Sequence, residues 1–468
     1  MLWMKRAGLI LLTLALFLGL TACSDKPDTS EPGGSTTSDT PAGDKSWLTE
    51  GFSFDGQHFI IGNPGAWGPV RGNSQVDDLF LDQIQMVENT YNCTVEFKEF
   101  PSSGYHDMLS SSALGGTYVG DIMYAMSYNV VPGYARAGLV HSPDDFSVFN
   151  YEEDKWNKGL VNFLTWKDKN YAFSTWVFEG YNDMGAGVFF NKDMLEANSL
   201  TSPYEYYNND TWTWDAMIEL ATALTQDTDG DGENDQWGIA IENDYYSFLF
   251  ANGARLLKQD DSGKWQYTLN SNEANEALTY FFSVSKSGVN APWIGDNDSS
   301  RVNRFIEGTV GMIVSEIWRS GDFNKKMDDD FGWVPFPKGP SADTYQLRRQ
   351  STSCYVIPKP VEKPEKVMQM FDLITDWSKD QDTVQMVMEA KLRDEESIEN
   401  VRDAVEGGWT DYDVSTVVSG LRDLTRAAID TAWGGDVSAQ TATDSVAAAA
   451  QQLMEVVGNA TKRHLYKR

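Results

Sequence analysis

Apolar residues recur along the body of this chain with two alternating periods. Phe59-Ile60-Ile61-Gly62 is a short β-like run that Asn63-Pro64-Gly65 breaks. From Gln75 to Tyr91 the apolar positions are Val76, Leu79, Phe80, Ile84 and Val87, spaced for one face of a helix. Thr94-Val95-Glu96-Phe97 alternates as a strand does. Tyr105 to Leu114 returns to the helical period and stops at Gly115-Gly116, and Val119 to Tyr124 reads as another strand. Strand, helix, strand, helix, strand at this spacing predicts parallel α/β construction. Further on, Tyr171-Ala172-Phe173 and Gly187-Val188-Phe189-Phe190 read as strands and Lys192 to Ala197 as a helix. A helix from Asp215 to Leu224 carries its acid in the first turn, and one from Glu273 to Val284 has Asn272 as its cap. The last hundred residues are mostly helical, Asp444 to Val457 most strongly, and no internal repeat is visible.

A length of 468 residues predicts two or three domains with substantial cores, and 41% hydrophobic content predicts a globular body. Charge narrows the partners. With 37 basic and 69 acidic side chains the formal net charge is -32, a surface that repels phosphate backbones, so no nucleic-acid partner is expected. Three cysteines cannot build a disulfide framework. Cys93 and Cys354 lie in or beside strand-like runs and read as buried thiols, a long-range disulfide between them being the other reading. The four histidines, His58, His106, His141 and His464, are scattered without metal spacing, and no G-x-S-x-G, H-E-x-x-H or P-loop occurs. Aromatic content stands out: 16 Trp, 20 Tyr and 23 Phe exceed what an ordinary core requires.

The N-terminus carries an address. Lys5 and Arg6 precede an apolar stretch from Ala7 to Leu20, too short to span a bilayer and right for a signal h-region. It ends in Leu20-Thr21-Ala22-Cys23, which resembles a bacterial lipobox. There cleavage before Cys23 makes that residue, bearing a diacylglycerol group and an acyl chain such as palmitate, the new N-terminus. An ordinary secretory cleavage site also has small residues, but Cys23 falls where the lipobox needs it. Ser24 to Ser46 lacks any large apolar residue and so cannot offset its ordering entropy; as a flexible tether it reaches roughly 25 Å. The expected localisation is extracytoplasmic, lipid-anchored to the outer face of the bacterial cytoplasmic membrane.

Seven stretches, in order, resemble the family 1 extracellular solute-binding proteins of ABC importers, the maltose-binding-protein superfamily. Ala113-Leu114-Gly115-Gly116 with Gly120-Asp121-Ile122 resembles its strand entry, and Trp166 to Ser174 its "G-K-x-Y-x-x-P" hairpin, with Asp168 in place of the Gly and Ser174 in place of the Pro. Phe189 to Leu195 is close to its "Y-N-K-D-L-L", Trp212-Thr213-Trp214-Asp215 to its "P-x-T-W-D-E", and Phe305 to Met312 to its "F-x-x-G-K-A-A-M". Pro335 to Gly339 resembles "x-P-x-P-x-G", and Ala432-Trp433-Gly434-Gly435 the start of its closing helix. The resemblance implies an α/β, two-lobed periplasmic-binding-protein type II fold, with discontinuous lobes joined by hinge strands and a cleft between them. On that pattern residues 1–22 are the signal peptide and 23–46 the lipidated Cys23 and linker. The N-lobe takes 47–178 and 308–347, and the C-lobe takes 179–307 and 348–462. The implied role is a monomeric, non-enzymatic receptor that captures a sugar or oligosaccharide and docks on the permease subunits of an ABC importer. A cell-surface carbohydrate-active enzyme, or an adhesin or sensor on the same fold, is the alternative, since 69 acids could hide a catalytic carboxylate pair.

Two sets of residues carry candidate chemistry. Sugars are recognised by aromatic faces with a few convergent polar groups, and open α/β sheets place such sites beyond strand C-termini. Loops after predicted strands offer Trp67, Tyr124, Ser127, Trp176, Glu179, Glu316 and Trp318 as ligand-binding residues. Trp212, Trp214 and Trp377 sit in helix or helix-start patterns and read as structural. The second set is Asp227-Thr228-Asp229-Gly230-Asp231-Gly232-Glu233-Asn234-Asp235. Alternating carboxylates with Gly at the sixth position suit a structural Ca²⁺ held by Asp227, Asp229, Asp231, Glu233 and Asp235. Gly238 stands where an EF-hand has its bidentate Glu; the plainer reading is a solvated acidic turn.

Overall fold

A computed structural model of the chain describes residues 45–175, 184–241, 244–292, 299–349, 351–379 and 381–457. Two four-stranded sheets organise it. In the first, the strand Gln57–Pro64 lies between two parallel neighbours, Cys93–Phe100 and Ile122–Met126, and Ser353–Val356 pairs antiparallel with Ile122–Met126. In the second, Ala186–Asn191 runs antiparallel to both Phe331–Pro335 and Val310–Glu316, and Val310–Glu316 is parallel to Trp237–Ala240.

The predicted periods map onto buried faces. The helix Gln75–Tyr91 starts at Ser74, whose hydroxyl accepts from the Asp77 N–H, and buries Phe80, Ile84 and Val87 against the first sheet. Along the strand beside it Phe59 and Ile61 are buried while His58 and Ile60 reach the surface, the alternation of a pleated strand. Boundaries shift where side chains compete. Asp121 ends the loop before its strand by accepting from the Ile60 N–H and the Tyr118 hydroxyl, both at 2.8 Å, so the strand runs Ile122–Met126 rather than from Val119. Ser271, not Asn272, caps the helix Asn272–Ser285, its hydroxyl accepting from the Ala274 N–H. Tyr171 to Phe173 forms no strand and makes one isolated bridge, Phe173 to Tyr355. The hairpin between Thr165–Trp166 and Lys169–Asn170 turns through Lys167 and Asp168, both left-handed at φ 48° and 62°. Asp tolerates that region, so it can stand in for Gly there. Trp212 and Trp214 are fully buried, as expected of structural residues, the Trp212 indole donating to the Pro335 carbonyl at 2.8 Å.

The lobe assignment needs a correction. Residues 308–347, expected in the N-lobe, belong to the second sheet, since Val310–Glu316 and Phe331–Pro335 flank Ala186–Asn191. The chain returns to the first sheet at Ser353–Val356, and the following helix Pro364–Ile374 packs on Gln75–Tyr91. It then rejoins the second core through the helices Glu395–Glu406, Leu421–Gly434 and Ala439–Val457. A short parallel ladder, Leu347–Arg349 with Thr410–Tyr412, precedes that return.

The returning helix is held by charge. Lys155 is completely buried and donates to the Asp372 backbone carbonyl at 2.7 Å, to the Asp372 carboxylate, and to Asp376 Oδ1 at 2.9 Å. Lys45, at the root of the tether, bonds the same two carboxylates, reaching Asp376 at 3.0 Å. Cys93 and Cys354 are both buried thiols and do not pair; burial and the neighbouring Glu88 push Cys93 up to about 11.

Candidate functional site

Strand direction decides which loops can share a site. The parallel strands of the first sheet end at Pro64 and Met126, delivering Trp67 and Ser127 from the same edge. In the second sheet the parallel strands end at Ala240 and Glu316, delivering Asp244 and Trp318. In open α/β sheets these C-terminal edges line the ligand crevice.

Trp67 is 61% exposed, its ring packed edge-to-face with Tyr124 at a centroid separation of 5.2 Å and an interplanar angle of 84°. Tyr124 itself is buried within its strand, where both faces are covered, and its hydroxyl lies 2.7 Å from Ser353 Oγ. It supports Trp67 from behind rather than forming an open platform. Ser127 is fully buried: its N–H donates to the Thr352 carbonyl and its hydroxyl accepts from the Thr352 N–H, both at 3.0 Å. The expectation that Ser127 faces ligand is therefore corrected. Its hydrogen-bonding capacity ties the strand end to the chain returning from the second sheet. Trp176 and Glu179 lie outside the described residues.

Glu316 and Trp318 come together. Val310–Glu316 ends in a single 3₁₀ turn, Ile317–Arg319, anchored by the buried Ile317. The Trp318 indole N–H donates to Glu316 Oε2 at 2.6 Å, and the Arg319 guanidinium lies 4.2 Å from the ring centroid. Burial pushes the half-buried Glu316 carboxyl up and Asp244 adds to this, while the Trp318 N–H, Arg348 and Arg319 oppose. Asp244 also caps the helix Tyr245–Ala251 by accepting from the Ser247 N–H. Arg348 is buried under the same region, bonded to Asp413 at 2.7 Å with its guanidinium 3.5 Å from the Tyr246 ring centroid. Sequence reading passed over Arg319, Arg348, Tyr246, Asp244 and Asp413. The available signal was a pair of adjacent arginines, Arg348 and Arg349, inside a strand of a strongly acidic chain.

The acidic loop connects the helix Trp214–Leu224 to the strand Trp237–Ala240 and is closed at its base by a Gln226–Gln236 bridge. Asp227 accepts from the Gly230 and Gly232 N–H groups at 2.6 and 2.8 Å, and Asp235 accepts from the Thr228 N–H and hydroxyl at 2.9 and 2.8 Å. These bonds hold the Asp235 carboxyl below its ordinary range. Carboxylate oxygens of Asp227, Asp229 and Asp235 lie within 4.8 Å of one another, the convergence that a hard cation requires. Asp231 and Glu233 are not brought into that group; Asp231 accepts from the Glu233 N–H at 2.8 Å. Gly238 also has a reason for being there: a Cβ at that position would meet the Ala221 carbonyl oxygen at 1.8 Å, so no Glu ligand fits.

Residues 73–376 match the family described as bacterial extracellular solute-binding protein. The chain belongs to that family. No curated protein sequence matches it. Among solved structures, the fold of this solute-binding family member is similar to an ABC substrate-binding protein from Listeria monocytogenes in complex with cycloalternan. The TM-score is 0.63 at 16% identity, over 86% of this chain and 100% of that one. It is also similar to the maltose/maltodextrin-binding domain MalE of Bdellovibrio bacteriovorus bound to maltotriose, with TM-score 0.60, 18% identity, and coverage of 85% and 100%. A third is the GacH receptor of Streptomyces glaucescens, at TM-score 0.62, 14% identity, and coverage of 86% and 99%. The two sheets and the crossings between them are accordingly those of a two-lobed type II binding protein, with hinge strands and a cleft. Among the described residues no helix is long and apolar enough to cross a membrane.

Proposed function

We propose that this solute-binding protein captures a sugar or oligosaccharide and hands it to the permease subunits of an ABC importer. On this reading it is tethered to the outer face of the cytoplasmic membrane through lipidated Cys23. The observation that carries the reading is Trp318: a large flat apolar face, 44% exposed, at the C-terminal end of a central strand of the second sheet. An indole left open at a crevice edge suits the C–H face of a pyranose. Trp67, on the corresponding edge of the first sheet, supplies a second exposed aromatic, and the oligosaccharides bound in similar structures support the ligand class. The site binds rather than transforms: aromatic faces and pinned polar groups hold a ligand without supplying a reacting atom.

The acidic loop is read as a structural calcium site held by Asp227, Asp229 and Asp235, with backbone carbonyls and water completing the oxygen shell. The function test is a thermal-shift screen of the purified lipid-free protein against a panel of mono- and oligosaccharides. A tight ligand raises the melting temperature by mass action, and a panel without a single shift would overturn the sugar reading.

A further inference from the structure

Two contacts of Trp318 play no part in a stacking interaction with a sugar. Its edge is fixed by the 2.6 Å bond from the indole N–H to Glu316 Oε2, and the Arg319 guanidinium lies over its ring, 4.2 Å from the centroid. Glu316 ends the strand, and Trp318 and Arg319 lie on the short turn that follows, whose first residue, Ile317, is locked in the core. A tryptophan at a loop tip otherwise turns about two side-chain bonds, and ordering it on binding costs affinity. Here a carboxylate fixes rotation in the ring plane, and a cation covers part of one face, so the ring is oriented before any ligand arrives.

We propose that Glu316 and Arg319 are positioning residues that hold the Trp318 indole in one orientation with one face presented, and that they act on the ligand through that ring. This rests on the reading of Trp318 as a sugar platform. The surroundings of Glu316 agree with the role. Asp244, Arg348 and Arg319 all lie within electrostatic reach, and the indole N–H is the group that bonds its Oε2. Oε2 of the carboxylate is engaged by an intramolecular donor at short distance, which ties the orientation of the indole to that of Glu316. Arg319 is an apt cover because a planar guanidinium stacks on an indole and remains hydrated at its rim.

A double-mutant cycle tests this. Maltotriose, mannotriose and cycloalternan serve as probes, and the one giving the largest thermal shift on the wild type is titrated calorimetrically. Trp318→Ala should weaken affinity about tenfold to a hundredfold. Glu316→Ala and Arg319→Ala should each weaken it about threefold to tenfold, the cost of ordering one side chain on binding. Glu316→Gln, which keeps an acceptor for the indole N–H, should restore affinity to within about twofold of wild type. In the Trp318→Ala background neither second substitution should matter further, because the ring they hold is gone. Circular dichroism confirms that each variant folds. Losses that add in that background would show that Glu316 or Arg319 touches the sugar itself, overturning the positioning role while leaving the platform intact. Unchanged affinity in Glu316→Ala and Arg319→Ala overturns it as well. No binding of any probe by the wild type overturns the platform reading and the proposal together.

Discussion

Replacing Lys155 by Met should destabilise the first lobe by about 3 kcal/mol. The Lys155 ammonium is completely buried and bonds the Asp372 carboxylate, the Asp372 carbonyl and Asp376, with Glu153 at 3.8 Å. The Asp372 side chain is 3% exposed, so removing its partner leaves a carboxylate that water cannot reach. Breaking a buried pair in this way typically costs about 3–5 kcal/mol. Lys45 sets this case at the lower end. It also bonds Asp372 and Asp376 and is 13% exposed, and it stays in place in the variant. Met retains the apolar stem beside Trp156, so little packing is lost, while the ammonium's contact with that ring, 4.9 Å from its centroid, goes with the charge. Urea unfolding followed by circular dichroism and by tryptophan fluorescence gives the number, provided the two probes coincide. The double variant Lys155→Met, Asp372→Asn removes the stranded charge and should recover at least about 1.5 kcal/mol. A single variant within about 1 kcal/mol of wild type, or a double variant no better than the single, would refute the argument.

Three further outcomes follow from other sites. Burial pushes the Asp394 carboxyl up, but the bonds from Lys192, the Ser397 N–H and the Tyr204 hydroxyl win and hold it below its ordinary range. A depressed folded-state value means that this stabilisation is complete above the unfolded value near about 4 and is lost as pH falls through the lower folded one. Asp394→Asn, which still caps its helix, should cost about 1.5 kcal/mol at pH 7, the order of a charge-assisted hydrogen bond, with the gap to wild type closing as pH falls below about 4; a pH-independent gap contradicts the assignment. Calcium added to metal-stripped protein should raise its melting temperature, and Asp229→Ala should abolish the rise; an unchanged wild-type curve removes calcium from the account. Cys23→Ala should release the protein from the membrane fraction, and equal retention by both forms contradicts the lipobox.

How far the chain could be read in advance follows from which interactions are local. Val76 to Val87 announced a helix because its buried face is a property of spacing alone, and Phe80, Ile84 and Val87 are the residues it buries. The placement of Trp318, exposed beyond a strand's C-terminal end, was legible because strand, turn and indole occupy nine consecutive residues, 310–318. The lobe to which Val310–Glu316 belongs was not, because a strand's period reports which face is buried and is silent about its partner. Here that partner, Ala186–Asn191, lies more than a hundred residues earlier. Tyr124 and Ser127 failed as open ligand groups for a related reason. A strand covered on both faces has no outward side, and the group that covers Ser127 is Thr352.

The scarcity of basic residues explains where those distant connections are made. With 37 cations against 69 acids, at least 32 carboxylates have no cation to pair with, and a cation taken into the interior is one withdrawn from neutralising the surface. Several buried or half-buried cations are found where separated segments meet. Lys155 binds Asp372, 217 positions later, and joins the first part of the N-lobe to the helix that returns to it. Lys192 binds Asp394, 202 positions later, and Arg348 binds Asp413, 65 positions later, beside the short ladder that precedes the closing helices. A buried ion pair contributes modestly to net stability, and separating its partners strands a charge. In a chain whose lobes are each assembled from non-contiguous pieces, these pairs join segments that hydrophobic periodicity does not connect. One of them reaches the candidate site: Arg348, fixed by Asp413 and Tyr246, lies within electrostatic reach of Glu316 and so of the turn that carries Trp318.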